Sequence, residues 1–296
     1  SDEVLKGVGL VGRAIFSQRT QLASCRLETK LKGLVVFFTG ASSGIGEELA
    51  YQLAGCGSRL ILSARRVDEL DRRSNLQEKH ILVLPLVFHD SSHLSTLACF
   101  VPISLSMPIQ IDILINNGGR SQCSLSLETS VDVYQVLMEH NFLGTVSFTK
   151  QVLPHMMQRG SCSVVTVSST PGNYVNHLDT YIEADFPRIL ISTVCPGPVL
   201  SQIVQNTFTE EAILTAGEQQ HKMSTSCCVC LILVGITNGA KEMWIAWQTV
   251  LLFNYVWQYA PIWAWFITDV LGRKRVQNFK VGLDADSAYF TNPKTS

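Results

Sequence analysis

Charge of one sign is what this chain most plainly lacks. Its 296 residues carry 23 Lys and Arg against 24 Asp and Glu. A formal charge of −1 gives no basic field for nucleic acid, and no nucleic-acid partner is expected. A long, clean apolar run is also missing. Val4 to Arg13 is short and broken by Gly7, Gly9 and Gly12, neither a spanning helix nor a usual signal peptide. The aromatic stretch from Thr249 to Ile267 is interrupted by Asn254, Gln258 and Pro261, which argues against a clean membrane span. No Asn-x-Ser/Thr acceptor occurs, so glycosylation gives no clue to compartment. A disulfide framework is missing too: nine cysteines, an odd number, are scattered through a chain too large to depend on one. The single cluster, Cys227-Cys-Val-Cys230, has only His221 near it, which does not complete a zinc set. Reduced, idle thiols in a reducing compartment are expected, and no metal site.

What is present begins at Leu34. Leu34 to Phe38 is an apolar run of the kind that forms a buried parallel strand. It breaks into Thr39-Gly-Ala-Ser-Ser-Gly-Ile-Gly46 and continues as Glu47 to Ala54, with apolar positions at helical spacing. Strand, glycine-rich turn and helix in this order suit a dinucleotide pyrophosphate. Gly40 permits the turn, Gly44 lets backbone approach phosphate, and Gly46 lets the helix pack on the strand. The helix N-terminus adds N–H donors and a positive dipole end. A plain strand-to-helix turn is the alternative reading of these glycines.

Further apolar runs follow at 59–63, 81–88, 111–115, 163–167, 189–195 and 242–247, with helical patterns at 92–100, 130–158 and 224–236. Pro102 and Pro108 limit the first of those helices, and Pro154 marks a kink or boundary in the second. Alternation of strand and helix predicts an α/β doubly wound parallel sheet. The expected division is an N-terminal extension over 1–33, a Rossmann-like dinucleotide-binding domain over 34–248, and an aromatic C-terminal segment over 249–296. The chain begins with Ser rather than Met, which leaves open whether a segment precedes it.

Four local motifs point to chemistry. Strand two ends in Ala64-Arg65-Arg66, with no acidic residue to hold a ribose 2′-hydroxyl, and two arginines suited to a 2′-phosphate. Strand four leads into Asn116-Asn117-Gly118-Gly119, strand five into Ser168-Ser169, and strand six into Pro196-Gly197-Pro198-Val199. Asn141 lies among apolar neighbours in a helical pattern and needs hydrogen-bond partners there. His140 is expected on the solvated side.

Together, Thr-Gly-x-x-x-Gly-x-Gly, Asn-Asn-Gly-Gly, the helix Asn and the strand-end Ser-Ser resemble the short-chain dehydrogenase/reductase family. The resemblance implies NADP(H) held by Thr39, Gly40, Ser42, Ser43, Gly44, Ile45, Gly46, Arg65, Arg66, Asn116, Asn117, Gly118, Pro196, Gly197 and Val199. It implies Ser169 as the hydroxyl that polarises the substrate oxygen, Tyr181 as proton donor and Asn141 in the proton relay. Further stretches, including Leu62-Ser-Ala-Arg-Arg66 and Cys195-Pro-Gly-Pro-Val199, resemble a branch of membrane-associated reductases acting on steroid- or retinoid-like carbonyls. That branch implies an endoplasmic reticulum membrane and a lipophilic small-molecule substrate.

Two departures stand out. Val87 occupies the place where the family carries an Asp against adenine, with Asp90 three residues on. More seriously, the family's Lys four residues after Tyr is replaced by Asp185, and no Lys occurs between Lys150 and Lys222. That ammonium binds the nicotinamide ribose in the family and stabilises the Tyr phenolate. Ile182 to Arg188, interrupted by Pro187, cannot supply the long helix that carries Tyr and Lys and packs on a partner subunit. Seven helical residues rise only about 10 Å. These departures weigh against efficient turnover and against a homodimer. The alternatives are a non-catalytic nucleotide-binding or membrane scaffold protein, or a splice form or faulty gene model with a damaged centre. The C-terminal aromatics with Arg273-Lys-Arg275 suit either an interfacial membrane patch or a lid over an apolar pocket.

Overall fold

The computed structural model describes residues 27–64, 81–85, 110–122, 129–169, 186, 188–201 and 222–280. The expectations for Arg65, Arg66, Val87, Asp90, Tyr181 and Asp185, and for the helix at 92–100, lie outside these residues.

The chain forms β1 (Val35–Thr39), α1 (Gly44–Gly55), β2 (Arg59–Ala64), β3 (Ile81–Pro85) and β4 (Ile113–Asn116). Then come α2 (Val131–Met138), a π-helical turn (Glu139–Leu143), α3 (Gly144–Arg159), β5 (Cys162–Val167) and β6 (Ile189–Pro196). The last elements are α4 (Thr225–Thr237), β7 (Glu242–Ile245), α5 (Gln248–Tyr259) and α6 (Pro261–Lys280). The strands make one seven-stranded sheet in the order β3-β2-β1-β4-β5-β6-β7, every pairing parallel. This is the expected doubly wound sheet.

Strand β1 shows why its sequence is apolar throughout. Side chains alternate across the sheet, and both faces here are covered. Val36 and Phe38 face a core that contains Leu49 and Leu53 of α1 and Cys228, Val229 and Ile232 of α4. Val35 and Phe37 face the other core, with Phe148, Val152 and Met156 of α3. Phe37 meets Phe148 edge to face at 4.8 Å between ring centres. A strand buried on both sides has no position for a polar alternation.

Leu27 and Leu31, from a helical turn preceding β1, also belong to the first core. The Ser58 hydroxyl donates to the Leu31 carbonyl at 3.0 Å. Packing of the domain therefore starts before Leu34. At the far end of α3, helix continues through Pro154 to Arg159, so that proline is not a boundary. Gly160, at φ +73°, closes the helix by donating to the Met156 and Met157 carbonyls.

Candidate active site

The order of strands reverses between β1 and β4. The sheet runs outward through β2 and β3 on one side and through β5, β6 and β7 on the other. A crevice beyond the strand C-termini at such a reversal is the ordinary ligand position in open α/β sheets. The C-terminal ends of β1, β4, β5 and β6 lie side by side there. At about 4.8 Å per strand they span about 15 Å.

The turn after β1 is built by close backbone approach. Gly40 has φ +72° and Gly44 φ +59°, in the left-handed region that glycine adopts without penalty. A Cβ on Gly46 would lie 2.1 Å from the Gly40 carbonyl oxygen. Helix α1 can therefore sit this close to the turn only because residue 46 has no side chain. Ser43, at the N-cap, makes no side-chain capping hydrogen bond. The first-turn N–H groups thus lack their usual side-chain acceptor, the arrangement suited to an external phosphate.

Thr39 locks this turn to the neighbouring strand. Its hydroxyl oxygen accepts from the Asn117 N–H at 3.1 Å and the Gly118 N–H at 2.9 Å. The Asn117 side-chain amide donates back to the Thr39 carbonyl at 3.2 Å. Asn116, at the buried end of β4, donates to the Thr149 hydroxyl of α3 at 2.9 Å. The Asn-Asn pair thus ties three elements together: β1, β4 and α3. Thr149 escaped the sequence reading, although a threonine beside Phe148 on a buried helix face was its available signal.

Asn141 sits in the π-helical turn. Its amide nitrogen donates to the Arg120 carbonyl and its amide oxygen accepts from the Arg120 N–H, each at 2.8 Å. Both ends of the side chain grip one residue of the loop after β4. Arg120 was missed by sequence reasoning, since a backbone partner leaves no mark in residue type. Burial holds its guanidinium below the ordinary arginine value.

His140 corrects an expectation: it is buried, 4% exposed, not solvated. The π turn is the reason. Its closing bond runs from the Gly144 N–H to the Glu139 carbonyl, five residues back. One residue is added to the turn, so faces counted at helical spacing rotate out of phase.

Ser169 stands exposed just past β5, whose end is pinned by the Ser168 N–H donating to the Val194 carbonyl at 2.7 Å. Beyond β6, the Gly197 N–H donates to the Ile245 carbonyl at 2.9 Å. Val199 pairs with Met223, and the Thr225 hydroxyl donates to the Leu200 carbonyl. The structure therefore brings Thr39 to Gly46, Asn116 to Gly118, Ser169 and Pro196 to Val199 to one edge of the sheet. Asn141 holds the adjoining loop.

A cavity of about 340 Å³ opens between α1 and the loop after β6, with Gly44, Glu47, Glu48, Leu200 and Ser201 in its wall. Two carboxylates would repel phosphate. An anion is better served on the amide side of the turn, with the cavity adjoining it.

The short chain dehydrogenase family profile matches residues 34–186. The chain belongs to the short chain dehydrogenase family. It is 48% identical over 300 residues to human dehydrogenase/reductase SDR family member 7, covering 91% of this chain and 87% of that protein. The mouse protein of the same name is 45% identical, covering 89% and 85%. Among solved structures, a short-chain dehydrogenase from Streptomyces avermitilis superposes with a TM-score of 0.62 at 21% identity, covering 84% of this chain and 98% of that one. One from Burkholderia cenocepacia, solved with NADP, gives 0.61 at 18% identity, covering 78% and 95%. Family membership explains why the Thr39 lock, the Asn-Asn pair and the strand-end serine meet at one edge.

Proposed function

We propose that this chain is an NADP(H)-binding short-chain oxidoreductase for lipophilic carbonyls or alcohols, steroid- or retinoid-like, with a proton relay too incomplete for efficient turnover. The observation that carries the cofactor reading is the glycine cradle: α1 approaches the Gly40 carbonyl as closely as a missing side chain allows, with its N-terminus uncapped by Ser43. These features fit a pyrophosphate seated on amide donors. Arg65 and Arg66 follow β2 and suit the 2′-phosphate of NADP(H) over the 2′-hydroxyl of NAD(H).

The bound nicotinamide would supply or accept hydride. The Ser169 hydroxyl would donate to the substrate oxygen as charge develops on it. Tyr181 would give that oxygen its proton, and Asn141 would hold the Arg120 loop beside the relay. Asp185 stands where the family's Lys belongs, and it stabilises neither a Tyr181 phenolate nor the ribose. The missing Lys favours a second reading, a non-catalytic nucleotide-binding protein. We propose an endoplasmic reticulum membrane as the site of action, testable by imaging a fluorescent fusion against organelle markers.

Titration with NADPH and NADH, followed by cofactor oxidation with a panel of lipophilic ketones and aldehydes, separates the readings. NADPH binding with slow turnover that Tyr181→Phe abolishes supports the oxidoreductase. Binding without turnover supports the second reading. Equal affinity for the two cofactors, unchanged by Arg65→Ala, overturns the cofactor assignment.

A further inference from the structure

All five tryptophans of the chain lie between Trp244 and Trp265, and from Met243 to Thr268 there is no charged residue. Helices α5 and α6 follow one another across Ala260, and Trp257 packs on Trp265 with ring centres 5.5 Å apart. The seam of the pair takes Ala264, fully buried. Around the corner, large apolar side chains stand in solvent: Tyr259 is 75% exposed, Ile262 83%, Trp263 68% and Trp265 66%, with Phe266 beside them. At 100° per residue, Ile262, Trp263, Trp265 and Phe266 sweep about 160° of the helix. That arc is wider than the seam one partner helix covers.

We propose that this corner inserts into the interfacial layer of a lipid bilayer. The inference deepens the membrane placement proposed above by naming the segment that makes the contact. Three features favour lipid over a second copy or a protein partner. Trp and Tyr have an apolar body and a polar tip, the chemistry of the membrane–water interface. Their exposure on a broad arc suits immersion better than a single docking seam. The charge then arrives at the right depth: Arg273-Lys274-Arg275 follows Phe266 by seven residues, about 10 Å along the axis. An aromatic tip buried 5–10 Å into the headgroup and acyl boundary would hold those residues near lipid phosphates. Asp269 pairs with Arg273 at 2.5 Å, an exposed ion pair. Residues 269–280 still carry four cations against that one acid, so anionic headgroups are complementary. Neither helix is long and apolar enough to cross a membrane. Contact is therefore interfacial.

The test is flotation of the full chain with phosphatidylcholine vesicles, and with vesicles containing about a third phosphatidylserine. Tryptophan emission reports Trp257, Trp263 and Trp265 of this corner together with Trp244 of β7 and Trp247 at the start of α5, so the part that Trp263→Ser with Trp265→Ser removes is the signal read. The expected result is flotation with both vesicle types, stronger with phosphatidylserine, with a blue shift and quenching by brominated acyl chains. Trp263→Ser with Trp265→Ser should weaken partitioning more than about tenfold on both vesicle types. Changing Arg273, Lys274 and Arg275 to Gln should weaken it about tenfold on the anionic vesicles only. Trp263, Trp265 and Arg273 are exposed on α6, and unchanged circular dichroism would show that both variants fold. No flotation of the native chain, or flotation indifferent to the tryptophan substitutions, overturns the proposal. So does a concentration-dependent dimer that those substitutions dissolve in the absence of vesicle binding. Loss of NADPH binding would overturn the cofactor reading and leave the flotation result standing.

Discussion

Adding one methyl group at Gly46 should damage the cofactor cradle far more than adding it elsewhere on the same helix. A Cβ there would lie 2.1 Å from the Gly40 carbonyl oxygen, and 2.8 Å from both the Gly40 carbonyl carbon and the Asn117 amide nitrogen. The oxygen belongs to backbone and cannot swing aside, so α1 must retreat by about 1 Å to restore ordinary contact. Overpacking of this kind costs about 1–3 kcal/mol, offset by about 1 kcal/mol from the better helix propensity of Ala. The net loss for Gly46→Ala is about 0–2 kcal/mol, against a gain at a glycine with open space around it. NADPH affinity should fall more than about tenfold, because the amide donors move with the helix. Gly55→Ala, at the other end of α1, meets nothing within 4 Å and should stabilise by about 0.5–1 kcal/mol. Gly118→Ala falls between them. Its Cβ would sit 3.1 Å from the Thr39 hydroxyl oxygen, a strain that small shifts relieve. Urea melts and NADPH fluorescence titrations on the three variants give the order. A Gly46→Ala protein as stable and as tight-binding as Gly55→Ala would refute the packing argument.

Thr39→Val keeps the volume but strands the Asn117 and Gly118 N–H groups, and should cost about 1–3 kcal/mol in denaturant melts and loosen NADPH. Burial pushes Cys162 and Cys195 up to about 11 and Cys228 up to about 12 from 9.0. Since the folded state holds these protons more tightly, their contribution is complete below pH about 9 and is lost as pH rises through about 11 for Cys162 and Cys195 and about 12 for Cys228. Stability curves at a series of pH values should show that fall, and Cys195→Ala should make it shallower. On the proposed reading, Asp185→Lys restores residue type in a segment whose seven residues before β6 are too few for the family's helix, so carbonyl reduction should stay within about tenfold of the native rate. Recovery of brisk turnover in a coupled NADPH assay would show that the side chain alone was the defect.

Residue order by itself determined the elements that carry the fold. A parallel strand covered on both faces must be apolar throughout, so β1, β4 and β6 were visible as short apolar runs. The glycines at 40, 44 and 46 were readable because backbone geometry restricts those places to one residue type. The Asn-Asn-Gly-Gly and Ser-Ser stretches were legible by their position after strands and by family resemblance. Tertiary structure alone decided what those residues touch. That β1 lies between β2 and β4 depends on long-range pairing, and only this puts the Thr39 hydroxyl beside the Asn117 and Gly118 amides. Asn141 needed partners, but its partner is a peptide unit at Arg120, which no side-chain pattern reveals. His140 was misplaced because a π turn shifts the helical phase by a residue, and the bonding that makes it is a backbone event. The C-terminal aromatics had no clean period, since apolar and charged residues separate along α6 more than around it. Which of those rings face solvent was settled only when Ala264 took the seam of the helix pair.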